Sequence, residues 1–482
     1  MVEPWVREEM RTVEMQDRRL NERLEEVLSA LAKRPAASIP AACGGHAEMT
    51  AAYRLFDHEN ATFERVLAPH VEATRRRVAP HRRVVLAQDT TEVDLTRPEQ
   101  QVQGAGPLDS GPRRGIFLHL MHAFSEDGTP LGTLSAVPWA RPEGPSRRSR
   151  SHLRARTLPI EQKESHRWVE TLRQAQAEAR RAPATQMICV GDSEADIYEV
   201  LAQAQDRPAN ADWIVRACKD RLVEIVAGEA ESHVYERVQA QPLLFTHTIH
   251  VRRRRAKVSC DKRPRHQPRQ PRAATVEVRA APRLLLRAPF RPGGRPPPVQ
   301  VNAVLVREIH PPTGEEPVEW LLLTSLPVEG AAQACEVIGC YGLRWMIEVF
   351  FHVLKSGCRV EERRFERIER FRSCLAVYLI VAWRTLYLCR LGRACPKLSC
   401  EAVFDSAEWK AAWTIARRSA PPPKPPSLDE MTRLVAELGG YVPRRNSPPG
   451  PQTLWLGLQR VHDFALCWMR FGPDARKDGP LV

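Results

Sequence analysis

The chain has 482 residues, with 72 Lys and Arg against 58 Asp and Glu, a net charge of +14 and a pI near 9.5. That length allows roughly two to four domains around a large core. The basic balance points to a polyanionic partner, nucleic acid first, although 41 prolines and many arginines also fit a high-GC coding bias. The 12 cysteines are scattered with no CxxC pair or zinc spacing, and no signal-peptide core appears. The nearest approach to a membrane span, Leu375 to Leu391, is interrupted by Arg384 and Arg390. Neither a disulfide-stapled secreted fold nor a membrane protein is therefore expected, and a soluble cytoplasmic chain with free thiols is.

Residues 1–80 read as helical. Leu20, Leu24, Leu28 and Leu31 recur at helix spacing before Pro35 ends the pattern. Met49, Tyr53 and Phe56 share a face of a second helix, and a third begins at Thr62 and ends in Arg75, Arg76 and Arg77. Such short basic helices suit either a DNA-binding module or a solvated bundle. Residues 83–96 read as a strand buried on both faces, since Val84 to Ala87 is continuously apolar. Asp89 lies near its end, as a site residue or as a turn cap. Strands at 115–126 and 130–139 are joined by the hairpin signal Asp127-Gly128. Arg113 and Arg114 precede them in a loop that could reach phosphate, and 141–157 is a basic, proline-interrupted excursion.

A helix with Glu164-Ser165-x2-Trp168 leads to Met187-Ile-Cys-Val-Gly191-Asp192-Ser-Glu194-Ala-Asp196-Ile197, an apolar strand ending in Gly-Asp before a helix start. Open α/β sheets place their sites at such carboxyl ends. Glu194 and Asp196 also suit the first turn of a helix on dipole grounds alone. Residues 211–219 form the next strand, with Arg216 and Lys219 at its end. From about 222 to 319 the texture is β-rich, with alternating strand-like runs. Between Arg252 and Arg272 it holds ten Lys or Arg and one acid, Asp261, as a solvated loop or a phosphate-binding arm. Trp320 opens the apolar run Leu321 to Leu323, either as a stacking face or as core packing.

Tyr341 to Lys355, YGLRWMIEVFFHVLK, is the most informative stretch. On a helical wheel Tyr341, Arg344, Glu348, His352 and Lys355 fall within an arc of roughly 80°, and the rest is mostly apolar. A buried helix with one narrow polar line either carries an internal salt-bridge network or faces a cleft, where one carboxylate between cations suits a metal and a polyanion. After Lys355 come Arg359, Arg363, Arg364, Arg367, Arg370 and Arg372, then an apolar helix, a proline linker at 421–426 and helices at 428–438 and 452–470.

Tyr-x2-Arg-x3-Glu-x6-Lys, together with Trp320-Leu-Leu-Leu-Thr-Ser325, the Asp89-Thr-Thr context and Asp192-x-Glu-Ala-Asp-Ile, resembles the YREK branch of bacterial DDE transposases, the insertion-sequence-four family. Glu48 to Phe56 resembles that family's end-reading N-terminal domain. The resemblance implies an α/β, RNase H-like catalytic core at 81–372 with a β-rich insertion at about 222–319. It also implies a helical DNA-end-binding domain at 1–80 and a helical C-terminal region at 373–482 suited to dimerisation.

It further implies Asp89, Asp192 and Glu348 as the catalytic, metal-binding carboxylates for two Mg2+ ions, with Mn2+ able to substitute. Tyr341, Arg344 and Lys355 would contact DNA, and Trp320 would receive a flipped base; Arg216 is expected to face DNA from its place at the end of the strand at 211–219. The expected reaction is cut-and-paste transposition on double-stranded DNA, transposon ends and target alike. It would be carried out near the bacterial nucleoid by a homodimer in a synaptic complex, with no membrane involved. The alternative is an inactive relic that binds the ends and inhibits transposition.

Overall fold

In the computed structural model, residues 2–97, 99–109, 111–143, 158–224, 231–251, 269–291, 294–443 and 449–473 are described. The basic segment 141–157 and the basic loop 252–272 fall mostly outside them.

The chain begins with α1 (Pro4–Glu9), α2 (Arg18–Lys33), α3 (Ile39–Cys43), α4 (His46–Phe56) and α5 (Phe63–Val78). Asp17 starts α2 by accepting from Arg19 N, at 2.8 Å, and Thr62 starts α5 by accepting from Arg65 N, at 3.3 Å. Each satisfies a backbone donor that the first turn leaves open. The sequence pattern led to α2, α4 and α5. The short helices α1 and α3 carry too few turns to leave a periodic signal.

The sheet holds β1 (Arg83–Asp94), β2 (Gly106–Pro107), β3 (Arg114–Ser125) and β4 (Pro130–Trp139), then β5 (Gln186–Gly191) and β6 (Ala211–Arg216). It continues with β7 (Phe245–Val251), β8 (Arg272–Leu286), β9 (Val299–Glu308) and β10 (Glu319–Thr324). The order is β2-β3-β1-β5-β6-β10-β9-β8-β7, with β4 on β3. β1, β3 and β4 are antiparallel neighbours, while β5 and β6 run parallel to β1 on its other side. That combination is the arrangement of an RNase H-like core. β10, β9, β8 and β7 extend the same sheet by antiparallel pairing.

Helices α6 (His166–Arg181), α7 (Tyr198–Gln203) and α8 (Val234–Gln239) lie between strands. α9 (Ala331–Leu343), α10 (Trp345–His352) and α11 (Ile368–Ala394) follow the sheet. Val84 and Leu86 share a cluster with Trp168 of α6 and Tyr198 of α7. Val85 instead joins Ile188, Val190, Leu322 and Tyr341 of α9. The central strand is thus covered on both faces, as its unbroken apolar run requires.

Tyr341 to Lys355 is not one regular helix. α9 and α10 meet at Arg344, and Val353–Gly357 closes as a π-turn. The wider turn breaks the 100° spacing on which a single polar arc depends.

α11 runs several residues beyond Leu375–Leu391 at each end and lies in one cluster with α1, α2, α4 and α5. On length and composition alone it and Ala331–Glu362 are apolar enough to cross a membrane. In α11, 72% of the most apolar window is buried inside the protein, as in a core helix. The chain ends in α12 (Ser406–Arg417), α13 (Leu428–Leu438) and α14 (Pro451–Phe471), which surround a separate apolar cluster with Trp409, Met431 and Val461.

Candidate functional site

Register brings the two aspartates together. Ala87 pairs with Val190 across the parallel β1 and β5, so two residues further on Asp89 and Asp192 stand at equivalent positions. Beyond this point β5 ends while β1 runs on to Asp94 against β3. Asp89 therefore lies inside a long strand, at the point where its parallel neighbour stops, and not near the strand's end as its sequence context implies. Side chains alternate along a strand. Asp89 keeps the parity of Val85 and Ala87, and Asp192 that of Ile188 and Val190, so both are directed to the face that packs against α9 and α10.

Gly191 permits the turn after β5: a Cβ there would meet the Ala195 Cβ at 2.6 Å and the Trp168 ring at 3.3 Å. Asp192 then caps the following turn by accepting from Glu194 N, at 2.8 Å.

Arg344, at the junction of α9 and α10, joins the two sides of the site. Its Nη1 donates to Asp89 Oδ2 at 3.2 Å and its Nη2 to Glu348 Oε1 at 2.6 Å. The Asp89 carboxyl is pushed up to about 7. Burial is the main cause and the Asp192 charge the next, with Glu348 adding and Arg344 opposing. Burial likewise raises the Tyr341 hydroxyl, against the pull of Arg344 and Arg216.

Trp320, on the parity of Leu322, packs at 5.7 Å from the Tyr341 ring. Arg216 ends β6 and donates to Glu319 O at 3.3 Å. Lys355 sits on the π-turn, where its Nζ is 3.7 Å from Glu361. It pairs with that acid, not with Glu348.

Some cations singled out in the sequence are engaged by acids. Arg113 pairs with Glu92 and Asp94, and Arg114 with Glu143, which draws both away from a phosphate role. A supporting layer left no readable pattern. Arg167 Nε donates to Thr90 Oγ1 at 3.0 Å and its Nη2 to Glu194 Oε2 at 3.0 Å, tying the residue after Asp89 to the turn after Asp192.

Among the described residues, no three His, Cys, Asp or Glu side chains stand close enough to form a ready metal site. The donor chemistry still suits a hard divalent cation. Asp89 and Asp192 are in register and repel one another, and Arg344 takes oxygens of Asp89 and Glu348 for which a cation would compete.

A second feature lies in the N-terminal helices. A cleft of ≈ 590 Å³ is lined by Arg19 and Arg23 of α2 and by His46, Thr50 and Arg54 of α4, with His58 beyond and Ala47 and Ala51 also lining it. His46, Thr50 and Arg54 recur every fourth residue and so share one face of α4. That spacing, which runs into the stretch Glu48 to Phe56 that carries the N-terminal resemblance, was the sequence signal for this cleft.

Comparison with known families gives three matches in chain order. Residues 2–61 match a transposase DNA-binding model, 149–383 a transposase DDE domain model, and 380–471 a Tn5 transposase dimerisation domain model. The DDE match includes Asp192 and Glu348 and begins after Asp89. Among solved structures, a piggyBac transposase in a synaptic complex with hairpin DNA is similar at 8% identity and a TM-score of 0.32. The likeness covers 86% of this chain and 58% of that one.

Proposed function

We propose that this chain, which carries the DNA-binding, DDE and dimerisation domains of a DDE transposase, cuts and rejoins DNA at transposon ends as a member of the insertion-sequence-four, YREK branch. The observation that supports this best is the register of Asp89 and Asp192, with Glu348 held to Asp89 through one guanidinium.

In this reading Asp89, Asp192 and Glu348 hold divalent cations of the Mg2+ type. Bound there, such ions would supply activation of water or of a DNA 3′-hydroxyl and charge stabilisation for the leaving oxygen. Arg344 bridges Asp89 and Glu348 and offsets their charge in the free protein. When DNA arrives it turns its donors to phosphate, for which its planar fork is suited. Tyr341 and Arg216 border the same face and hold the strand end, and Lys355 exchanges Glu361 for a phosphate. Trp320 offers an indole face to an unstacked base next to Tyr341.

The cleft of Arg19, Arg23, His46, Arg54 and His58 grips the duplex backbone away from the cut. Two copies pair two ends through the tail, where Leu466, Met469 and Phe471 of α14 remain exposed.

The test uses purified protein, Mg2+ or Mn2+, and a labelled duplex with the element's terminal sequence. Metal-dependent nicking and a hairpin product, both absent with Glu348→Gln, are expected. End binding and pairing without any product would overturn the enzymatic reading in favour of a DNA-binding inhibitor.

A further inference from the structure

The segment that follows the Lys355 turn touches both the catalytic core and the N-terminal helices. Gln103 N donates to Glu366 O at 2.8 Å, and Ile368 N donates to Gln103 O at 3.0 Å, which fixes the segment to the core by its backbone. Its side chains reach the other way. Arg363 is buried and donates to the carbonyls of Ala37 and Pro35, in the loop between α2 and α3, and to Cys358 O. Its guanidinium also lies 4.8 Å from the Tyr378 ring centre. Phe365 packs edge-on against Tyr53 and Phe56 of α4, each at 5.9 Å. Arg367 and Arg370 both donate to Asp57, the residue that ends α4.

α4 is therefore held along its flank by Phe365 and at its end by two arginines, while His46, Thr50 and Arg54 line the open cleft. The same clasp is covalently continuous with the helix bearing Glu348. A guanidinium buried against carbonyls is a costly tie where only apolar packing is needed. It makes sense where one fixed orientation is required.

We infer that Arg363–Arg370 is a positioning element that sets the orientation of the α4 cleft relative to the carboxylate site, and so the base step at which the DNA is cut. This rests on the function proposed above.

The experiment maps cut positions at single-nucleotide resolution on end DNA, for the full chain and for Phe365→Ala combined with Arg370→Ala. Wild type is expected to cut at one position. The variant should spread its cuts over neighbouring positions while its affinity for the end stays within about threefold. In a separate set, Asp57→Arg alone should spread the cuts, and adding Arg367→Asp and Arg370→Asp should restore a single position, which general destabilisation would not. A folded variant that cuts as sharply as wild type overturns the inference. Should the Phe365 variant not fold, Asp57→Ala is read in the same way.

Amide exchange in α4 supplies a readout independent of cleavage. It should rise about tenfold in the variant with α11 unchanged, and unchanged α4 exchange overturns the clasp. A wild-type protein that makes no cut overturns the functional reading, and the exchange result then decides on the clasp alone.

Discussion

Arg344 is the residue on which the candidate site balances. It offsets two carboxylates at once, yet Asp89 still holds its proton up to about 7 because burial and Asp192 outweigh it. In protein without added cation, Arg344→Gln should therefore raise the Asp89 titration further. Asp192→Asn should lower it, because a like charge is removed. Carbon-13-labelled aspartate followed by NMR against pH reads both. Identical midpoints in the two variants would mean that the three groups do not interact.

Trp320 makes a second residue-scale case. It is half-buried and packs beside Tyr341. Trp320→Ala should impair hairpin formation more than first nicking, and equal loss of both steps would assign the indole to packing. The sequence offered these residues because each stands in a local pattern. It did not offer the Arg344 bridge, the Arg167 tie from Thr90 to Glu194, or the pairing of Lys355 with Glu361. Those depend on how strands and helices meet, and no spacing along one element encodes that.

At the scale of elements, the apolar run Val84 to Ala87 announced a central strand, and the Gly-Asp after Val190 announced a strand end. Helix 428–438 was legible for a related reason: Ser427 caps it and its apolar residues keep one face. The sequence was silent where geometry departs from a regular period. The π-turn at Val353–Gly357 leaves the residue types of the helix unchanged and alters only their direction.

Close packing of α13 on α14 was equally hidden. A Cβ on Gly457 would stand 1.8 Å from Val435 O, which is backbone and has no rotamer in which to withdraw. Gly457→Ala should therefore push the two helices apart at a cost of roughly 1–3 kcal/mol. Limited digestion with trypsin should then cut sooner after Arg417 or Arg418, just ahead of the proline-rich segment 421–426, with the rest of the chain resistant. A tail as resistant as wild type would show that the helices can shift cheaply.

Across the whole molecule, the N-terminal helices and the sheet share one core, and a buried polar network joins them. Glu9 of α1 lies 2.5 Å from His70 Nδ1, and Arg77 donates to it at 2.7 and 3.1 Å. His70 Nε2 accepts from Thr133 N of β4 at 3.0 Å. With one ring nitrogen accepting, the other must donate to Glu9, so His70 is neutral. Burial lowers its pKa below 6.5. The Glu9 carboxyl is brought down to about 2 by His70 and Arg77, which outweigh the burial that opposes them.

Both groups bind protons more readily in the unfolded chain, so both favour the folded state near neutrality. His70 begins to lose its contribution below pH 6.5, and Glu9 loses its own as pH falls below about 4.5. Asp89 and Glu408 act in the opposite sense. Their carboxyls, both near about 7, keep protons that the unfolded chain has released, so they lose stability as pH rises toward neutrality.

A global melting curve therefore sums opposing slopes, and the prediction belongs to local exchange. From pH 7 to pH 4, amides of α1 and α5 should lose protection, beyond the intrinsic change in exchange rate, while those of β1 around Asp89 should not. Glu9→Gln should reduce protection at neutral pH and flatten its fall below pH 4.5. Equal loss of protection in α1 and β1 would mean that the network does not govern the acid response of the N-terminal helices.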